Sequence, residues 1–280
     1  MTRTCYAPAK INLWLRVFAP DATGYHPLDT LFCAIDLQDE LQIGAGGGIQ
    51  LRVTGADVGP VETNLAYRAA YEYFQAIGKT PNVSIQLHKN IPAGAGLGGG
   101  SSDAAAVLRA LQEAHDDAMP QADLLALAAR LGSDVPFFLC GSSWARGSGR
   151  GEILEPLRSL PSRSVLIAVP DFPIATRDAY GWLDDSGTLS EPRGRVTLSR
   201  SWQDVENNAV NTFETVLFKR FPALADVCGQ LRSSGAVISM VSGSGSALFG
   251  VFVSDDAARQ AQQALAQQAG ISTFLARTLE

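Results

Sequence analysis

The segment PAGAGLGGGSSDAAA at residues 92–106 constrains this chain more than any other. Glycine stands at 94, 96, 98, 99 and 100, followed by Ser101, Ser102, Asp103 and an alanine run that predicts a helix. Glycine lets the backbone approach a ligand closely and adopt positive φ. Ser and Asp suit a helix entrance. The first helical turn offers free N–H groups and the positive end of the dipole to an anion. The run 83–87 (Val-Ser-Ile-Gln-Leu) reads as a strand, so a strand, a phosphate cradle and a helix are expected in succession.

Three cradles compete. A Walker A loop needs a lysine after its glycines, and none follows here. Gly94, Gly96 and Gly99 match the dinucleotide pattern GxGxxG. That pattern should lead to a second strand with an acidic tip, whereas two helical patterns, 103–115 and 122–131, come next. The Gly/Ser-rich loop of a small-molecule kinase accounts for Ser101 and Ser102 as well. A flexible surface loop is the plain alternative, and its tight bracketing by strand and helix speaks against it.

With 280 residues the chain suits two subdomains better than one, and a boundary is expected near 155–163, beside Pro156 and Pro161. A net charge of −6 without a basic cluster argues against nucleic acid as the main partner. An anionic substrate would then depend on a local positive site. Cys5, Cys33, Cys140 and Cys228 are scattered and only three histidines occur. A zinc site or disulfide framework is not expected, and a reducing cytoplasm fits. No signal-like start or apolar run of membrane-span length is present, so a soluble intracellular protein is expected.

Residues 9–18 alternate, with Ile11, Leu13, Leu15 and Val17 on one face and Lys10, Asn12, Trp14 and Arg16 on the other. Short strands are predicted at 31–35, 40–43, 49–54, 143–146 and 152–154, with a longer one at 82–91 and a buried one at 165–169. Residues 64–77 carry a helical stripe of Ala66, Ala69, Ala70, Tyr73, Phe74 and Ile77. After a Ser/Gly/Pro/Arg-rich segment at 184–201, expected as a lid-like loop, helices are predicted at 203–219, 222–234 and 256–268. Strands are predicted at 236–241, 247–253 and 271–277. The chain therefore reads as α+β, with helices on an antiparallel sheet in its last hundred residues.

Several residues outside the loop have chemistry to offer. Lys10 and Asn12, two apart on a strand, share a face; they are either an exposed strand face or a cation and an amide aimed at a ligand. Asp134 in GSDVPFF is either a helix N-cap or a carboxylate facing a cleft. In the second case, beside Lys10, it can accept a hydroxyl proton and orient the oxygen for attack on phosphorus. Ser242-Gly243-Ser244-Gly245-Ser246 is an ordinary hairpin turn or a second wall of the site. Gly24-Tyr25-His26 is a surface turn or an aromatic–imidazole pair for a base.

Taken together, PAKINL at 8–13, PAGAGLGGGSSDAA at 92–105 and SGSGSALFG at 242–250 resemble the GHMP kinase superfamily. The GYH triplet at 24–26, GSDVPFFL at 132–139 and the pair Gly151-Glu152 are similar to the branch acting on a cytidyl diphosphate sugar alcohol. The resemblance spans essentially the whole chain. It implies an N-terminal ATP-binding domain like ribosomal protein S5 domain 2 at 1–160 and a C-terminal ferredoxin-like substrate domain at 161–280. It also implies transfer of the ATP γ-phosphoryl group to the 2-hydroxyl of 4-diphosphocytidyl-2-C-methyl-D-erythritol, in the non-mevalonate route to isoprenoids. Asp134 would be the general base and Lys10 its orienting partner. Pro92, Gly94, Ala95, Gly96, Leu97, Gly98, Gly99, Gly100, Ser101 and Ser102 would hold the triphosphate, with Asn64 near adenine. Asn12, Tyr25, His26, Gly243, Ser244 and Gly245 would contact the substrate. Mg²⁺ would accompany ATP, with Ser101 or Asp103 as candidate ligands and much of its shell left to ATP and water. A different small-alcohol kinase of the superfamily, or a non-catalytic ATP- and sugar-binding relative, are the alternatives. Arg150 has no assigned role.

Overall fold

The computed structural model describes residues 2–190 and 201–280. Contacts divide the chain into two compact units that are not contiguous in sequence. The first holds the chain up to Ala9, Leu37–Ala93 and Gly98–Ser142; the second holds Lys10–Asp36, Gly94–Leu97 and Ser143–Glu280. Two long strands, β1 (Arg3–Val17) and β2 (Leu28–Gly44), give residues to both.

In the first unit, β3 (Gly48–Thr54) pairs in parallel with β4 (Asn82–His88), from Gly48 opposite Asn82 to Thr54 opposite His88. A parallel pair needs a crossover, and α1 (Leu65–Ile77) supplies it. Asn64 caps α1 by accepting from Ala66 N at 2.9 Å, and Gly78 closes it in the left-handed conformation. Of the stripe predicted from sequence, Ala66, Ala69, Ala70, Tyr73 and Phe74 are buried and Ile77, at the end of the helix, is half-buried. Val83, Ile85 and Leu87 of β4 point inward in strict alternation. Helices α2 (Gly99–Ala114) and α3 (Gln121–Leu131) complete the unit. The alanine run of α2 is buried almost throughout, which brings it close to α1.

In the second unit, the N-terminal half of β2 pairs antiparallel with β5 (Trp144–Ser148), and β5 with β6 (Ile153–Pro156). A second sheet is built from β7 (Ser164–Pro170), β8 (Ile238–Val241), β9 (Leu248–Phe252) and β10 (Ile271–Arg277). Its spatial order, β10-β7-β9-β8, is antiparallel throughout and is the ferredoxin-like 4-1-3-2 arrangement. Around it lie α4 (Thr176–Ser186), α5 (Trp202–Asn208), α6 (Glu214–Arg220), α7 (Pro222–Ser233) and α8 (Asp255–Leu265). The core gathers Leu166, Phe213, Leu217, Leu231, Val241 and Phe252.

Four local expectations change. Residues 31–35 and 40–43 belong to one strand, β2, not two. The helix predicted over 203–219 is interrupted: Asn211 forms an isolated bridge with Leu15, with Leu15 N donating to Val210 O at 2.7 Å and Thr212 N to Leu15 O at 2.9 Å. Val210 and Thr212 are poor helix formers, and pairing with β1 outweighs the helical periodicity. Helix α4 lies where no helix was predicted, because Gly181 and the acidic residues around it mask a stripe of only Ala179 and Leu183. Residues 184–186 end α4 instead of opening a loop, and 191–200 lie outside the described residues. The four cysteines are free thiols. No helix among the described residues is long and apolar enough to cross a membrane.

Candidate active site

In the second unit, β1 delivers Lys10 and Asn12, which are only 3% and 2% exposed. This excludes the solvent-facing alternative. A buried ammonium needs partners, and Lys10 Nζ donates to Asn12 Oδ1 at 2.8 Å. Asn12 Nδ2 donates to Thr30 Oγ1 at 2.8 Å, and Thr30 Oγ1 to Trp14 O at 2.7 Å. The row fixes both Asn12 and the lysine head.

Gly94–Leu97, the first half of the glycine loop, lies in the same unit and is stitched to Lys10 and to the SGSGS turn. Lys10 N donates to Leu97 O at 2.9 Å, Ala247 N to Ala95 O at 3.1 Å and Ser242 Oγ to Gly96 O at 3.0 Å. A Cβ on Gly96 would lie 2.2 Å from Ser242 O, and φ there is +79°. Only glycine fits. Gly243 approaches from the other side, where a Cβ would stand 3.4 Å from Lys10 Nζ. The turn is therefore more than a hairpin connection. Asn211, which sequence reasoning passed over inside a supposed helix, clamps it by donating from Nδ2 to Val241 O and Gly243 O, each at 2.8 Å. Glu214 accepts from Val241 N at 2.8 Å. Ser244 Oγ lies 2.9 Å from Thr176 Oγ1 of α4.

Tyr25 and His26 follow β1 in this unit too. Tyr25 is 52% exposed. His26 is fixed: Nδ1 donates to Phe18 O at 2.8 Å, Nε2 lies 3.0 Å from Asp184 Oδ1, and Tyr180 sits 5.2 Å away, ring to ring. Tyr180 and Asp184 come from α4, the helix the sequence did not reveal.

In the first unit, Gly98 caps α2 with φ +73°, and no side chain makes a capping hydrogen bond to the helix end. That end retains N–H groups suited to phosphate oxygens. Pro92 and Ser101 are half-buried, and Gly99 and Gly100 form the first turn. Ser102 is buried, and its Oγ has no partner among the described residues. A Cβ on Gly99 would press on Ile91 at 3.0 Å and Lys89 Nζ at 3.2 Å. Lys89 lies buried between two carboxylates: it pairs with Asp39 and, at 2.7 Å, with Asp103 Oδ2. Asp39 Oδ1 also accepts from Asn90 N at 2.6 Å and Ile91 N at 2.8 Å. Burial pushes the Asp103 carboxyl up to about 7 against the pull of Lys89. Asp103 thus braces the helix entrance from beneath through Oδ2, while its Oδ1 has no hydrogen-bond partner among the described residues. Asn64 is the α1 cap described above. Asp134 is half-buried in the turn before a short 3-10 segment, Pro136–Leu139, and does not cap it. Gly132, two residues earlier, is close enough to Ser101 that a Cβ would lie 3.7 Å from its Oγ. Among the described residues, no group of three or more His, Cys, Asp or Glu side chains is placed to hold a metal.

A buried lysine bonded to a glycine segment and beside a Gly/Ser turn in the second unit, and a glycine-rich helix entrance in the first, are the features of a phosphate-handling enzyme. Residues 64–142 match the GHMP kinases N terminal domain and 197–271 the GHMP kinases C terminal domain. The chain belongs to the GHMP kinase family and is an ATP-dependent kinase. It is 40% identical over 269 residues to the 4-diphosphocytidyl-2-C-methyl-D-erythritol kinase of Deinococcus radiodurans, covering 94% of this chain and 88% of that one. It is 41% identical to the enzyme of the same name from Anaeromyxobacter dehalogenans, covering 98% and 90%. A crystal structure of 4-(cytidine 5'-diphospho)-2C-methyl-D-erythritol kinase superposes with a TM-score of 0.85 at 37% identity, covering 99% of this chain and all of that one. A homoserine kinase from Cytophaga hutchinsonii, at 18% identity and TM-score 0.70 with 99% and 94% covered, shares the fold.

Proposed function

We propose that this chain transfers the γ-phosphoryl group of ATP to the 2-hydroxyl of 4-diphosphocytidyl-2-C-methyl-D-erythritol, a step of non-mevalonate isoprenoid synthesis. The observation that carries the chemistry is the buried Lys10, held by Asn12 and faced by Gly243. A preorganised cation in a water-poor setting stabilises charge developing on phosphate without having to reorganise. The relatives' shared name supports the choice of acceptor.

In this reading Asp134 accepts the proton of the acceptor hydroxyl as its oxygen bonds to the γ-phosphorus. The bond to the β,γ-bridging oxygen breaks and ADP leaves. Lys10 orients the attacking oxygen and Asn12 holds Lys10. Residues 92–102 cradle the triphosphate; the Ser102 hydroxyl, without a partner among the described residues, and the α2 entrance, without a side-chain capping bond, suit its oxygens. Asn64 borders the adenine. Tyr25 and His26 take the cytosine, while Gly243, Ser244 and Gly245 line the acceptor. Mg²⁺ neutralises phosphate charge and is held mainly through ATP and water, so EDTA abolishes turnover and added Mg²⁺ restores it. The domain reading of 1–160 for ATP and 161–280 for substrate belongs to the same proposal.

The test is ADP release by purified protein with MgATP, comparing the cytidyl substrate with mevalonate and homoserine. Turnover with the cytidyl compound alone is expected. Turnover only with another alcohol would replace the acceptor, and ATP binding without turnover would make the protein a non-catalytic relative.

A further inference from the structure

The Arg150 guanidinium carbon lies 3.3 Å from the centre of the Tyr25 ring. A planar cation at that distance covers one aromatic face and attracts the ring electrostatically. Both partners are held from behind. Arg150 sits between Gly149 and Gly151, which adopt φ +68° and +111°. Its own N donates to Glu152 Oε2 at 2.6 Å, and Gly149 O accepts from Leu28 N at 2.8 Å. On the other side, Asp21 N donates to Tyr25 O and Gly24 N to Asp21 O, each at 2.9 Å. Thr23 N donates to Asp21 Oδ1 at 2.8 Å. An exposed tyrosine at the tip of a turn would otherwise sample several rotamers, and fixing it in advance lowers the entropy lost on binding.

We propose that Arg150 is a positioning residue for acceptor recognition: its guanidinium stacks on Tyr25 and holds the ring ready for the cytosine. This rests on the reading of Tyr25 as the cytosine contact. The guanidinium acts through the ring and does not touch the reacting atoms. A lysine at 150 keeps the charge and loses the planar stack, so it restores only part of the effect.

The test is a double-mutant cycle of Arg150→Ala and Tyr25→Ala, read in the KM values for the cytidyl substrate and for ATP. Both side chains are exposed, so neither change threatens folding. Arg150→Ala is expected to raise the KM for the cytidyl substrate about two- to fivefold, with the KM for ATP unmoved. In the Tyr25→Ala background it should add nothing, and Arg150→Lys should fall between. An unchanged KM in Arg150→Ala, with a raised one in Tyr25→Ala, would overturn this inference and leave the cytosine site standing. Equal effects of Arg150→Ala in both backgrounds would also overturn it. An unchanged KM in Tyr25→Ala would remove the cytosine reading itself and this inference with it.

Discussion

Lys10 and Lys89 are both buried ammonium groups, and they do different work. Lys10 donates to the Asn12 amide oxygen at 2.8 Å and faces Gly243; Lys89 is locked between Asp39 and Asp103. Removing Lys89 strands two buried carboxylates. Lys89→Met is therefore expected to cost about 3–5 kcal/mol of stability in urea unfolding, and a loss under 1 kcal/mol would refute the bracing role. Asp134→Ala should lower kcat by about 10²–10⁴ while the Kd for ATP changes less than about twofold. Near-normal turnover would mean that another group takes the proton. At this scale the motifs were legible because phosphate chemistry restricts residue type: glycine for close approach, lysine for charge. Asn211, Tyr180 and Asp184 were not legible. Their hydrogen bonds and ring contacts join segments far apart in sequence, and an asparagine in a helical pattern carries no signal of the carbonyls it will reach.

At the scale of elements, the glycine loop shows that its glycines serve unequal ends. Gly94 has open space around its missing Cβ, with φ +67°, whereas a Cβ on Gly96 meets Ser242 O. Gly94→Ala should cost about 1 kcal/mol in strain. Gly96→Ala must push the loop off the SGSGS turn, with a much larger loss of both stability and activity. Equal effects in a side-by-side comparison of melting and turnover would contradict the contact. Glu214, beside the same turn, is pushed by burial from an ordinary 4.5 up to about 7, with the Val241 N–H bond and Arg232 opposing. The folded state therefore binds this proton more tightly than the unfolded chain. Its stabilising contribution is complete below about pH 4.5 and is lost as pH rises through about 7. Glu214→Gln keeps the acceptor and removes the ionisation. The stability difference should shift in favour of the variant by about 2 kcal/mol between pH 5 and 8; a pH-independent difference would contradict it. Elements with strong periodicity, such as α1 and β4, were readable from sequence. The α5–α6 break was not, because residues 210–212 gave up helical bonds for bonds to Leu15.

At the scale of the whole molecule, each unit draws on separate stretches of chain. The Tyr25–His26 turn, Lys10 and the SGSGS turn belong to the second unit; Asn64, Ser101 and Asp134 belong to the first. Amide exchange can resolve this. Cytidine diphosphate should slow exchange at 18–28 and 147–152 while leaving 121–139 unaffected, whereas MgATP should slow exchange at 92–102. Protection of 121–139 by cytidine diphosphate would move the base site. What the sequence determined by itself was the α+β class, the phosphate loop, the kinase family and the residue types of the chemistry. The class, the loop and the residue types follow from local rules of periodicity, turn conformation and charge, which act over a few residues; the family follows from the resemblance of three motifs. What only the tertiary structure decided was which residues hold the site in place: the Asn211 clamp, the Lys89 brace, the α4 contacts to His26 and the Arg150 stack. Those depend on distances between segments as far as 158 residues apart in the chain, as for His26 and Asp184, and such distances are fixed only when the competing bonds of each segment are satisfied together.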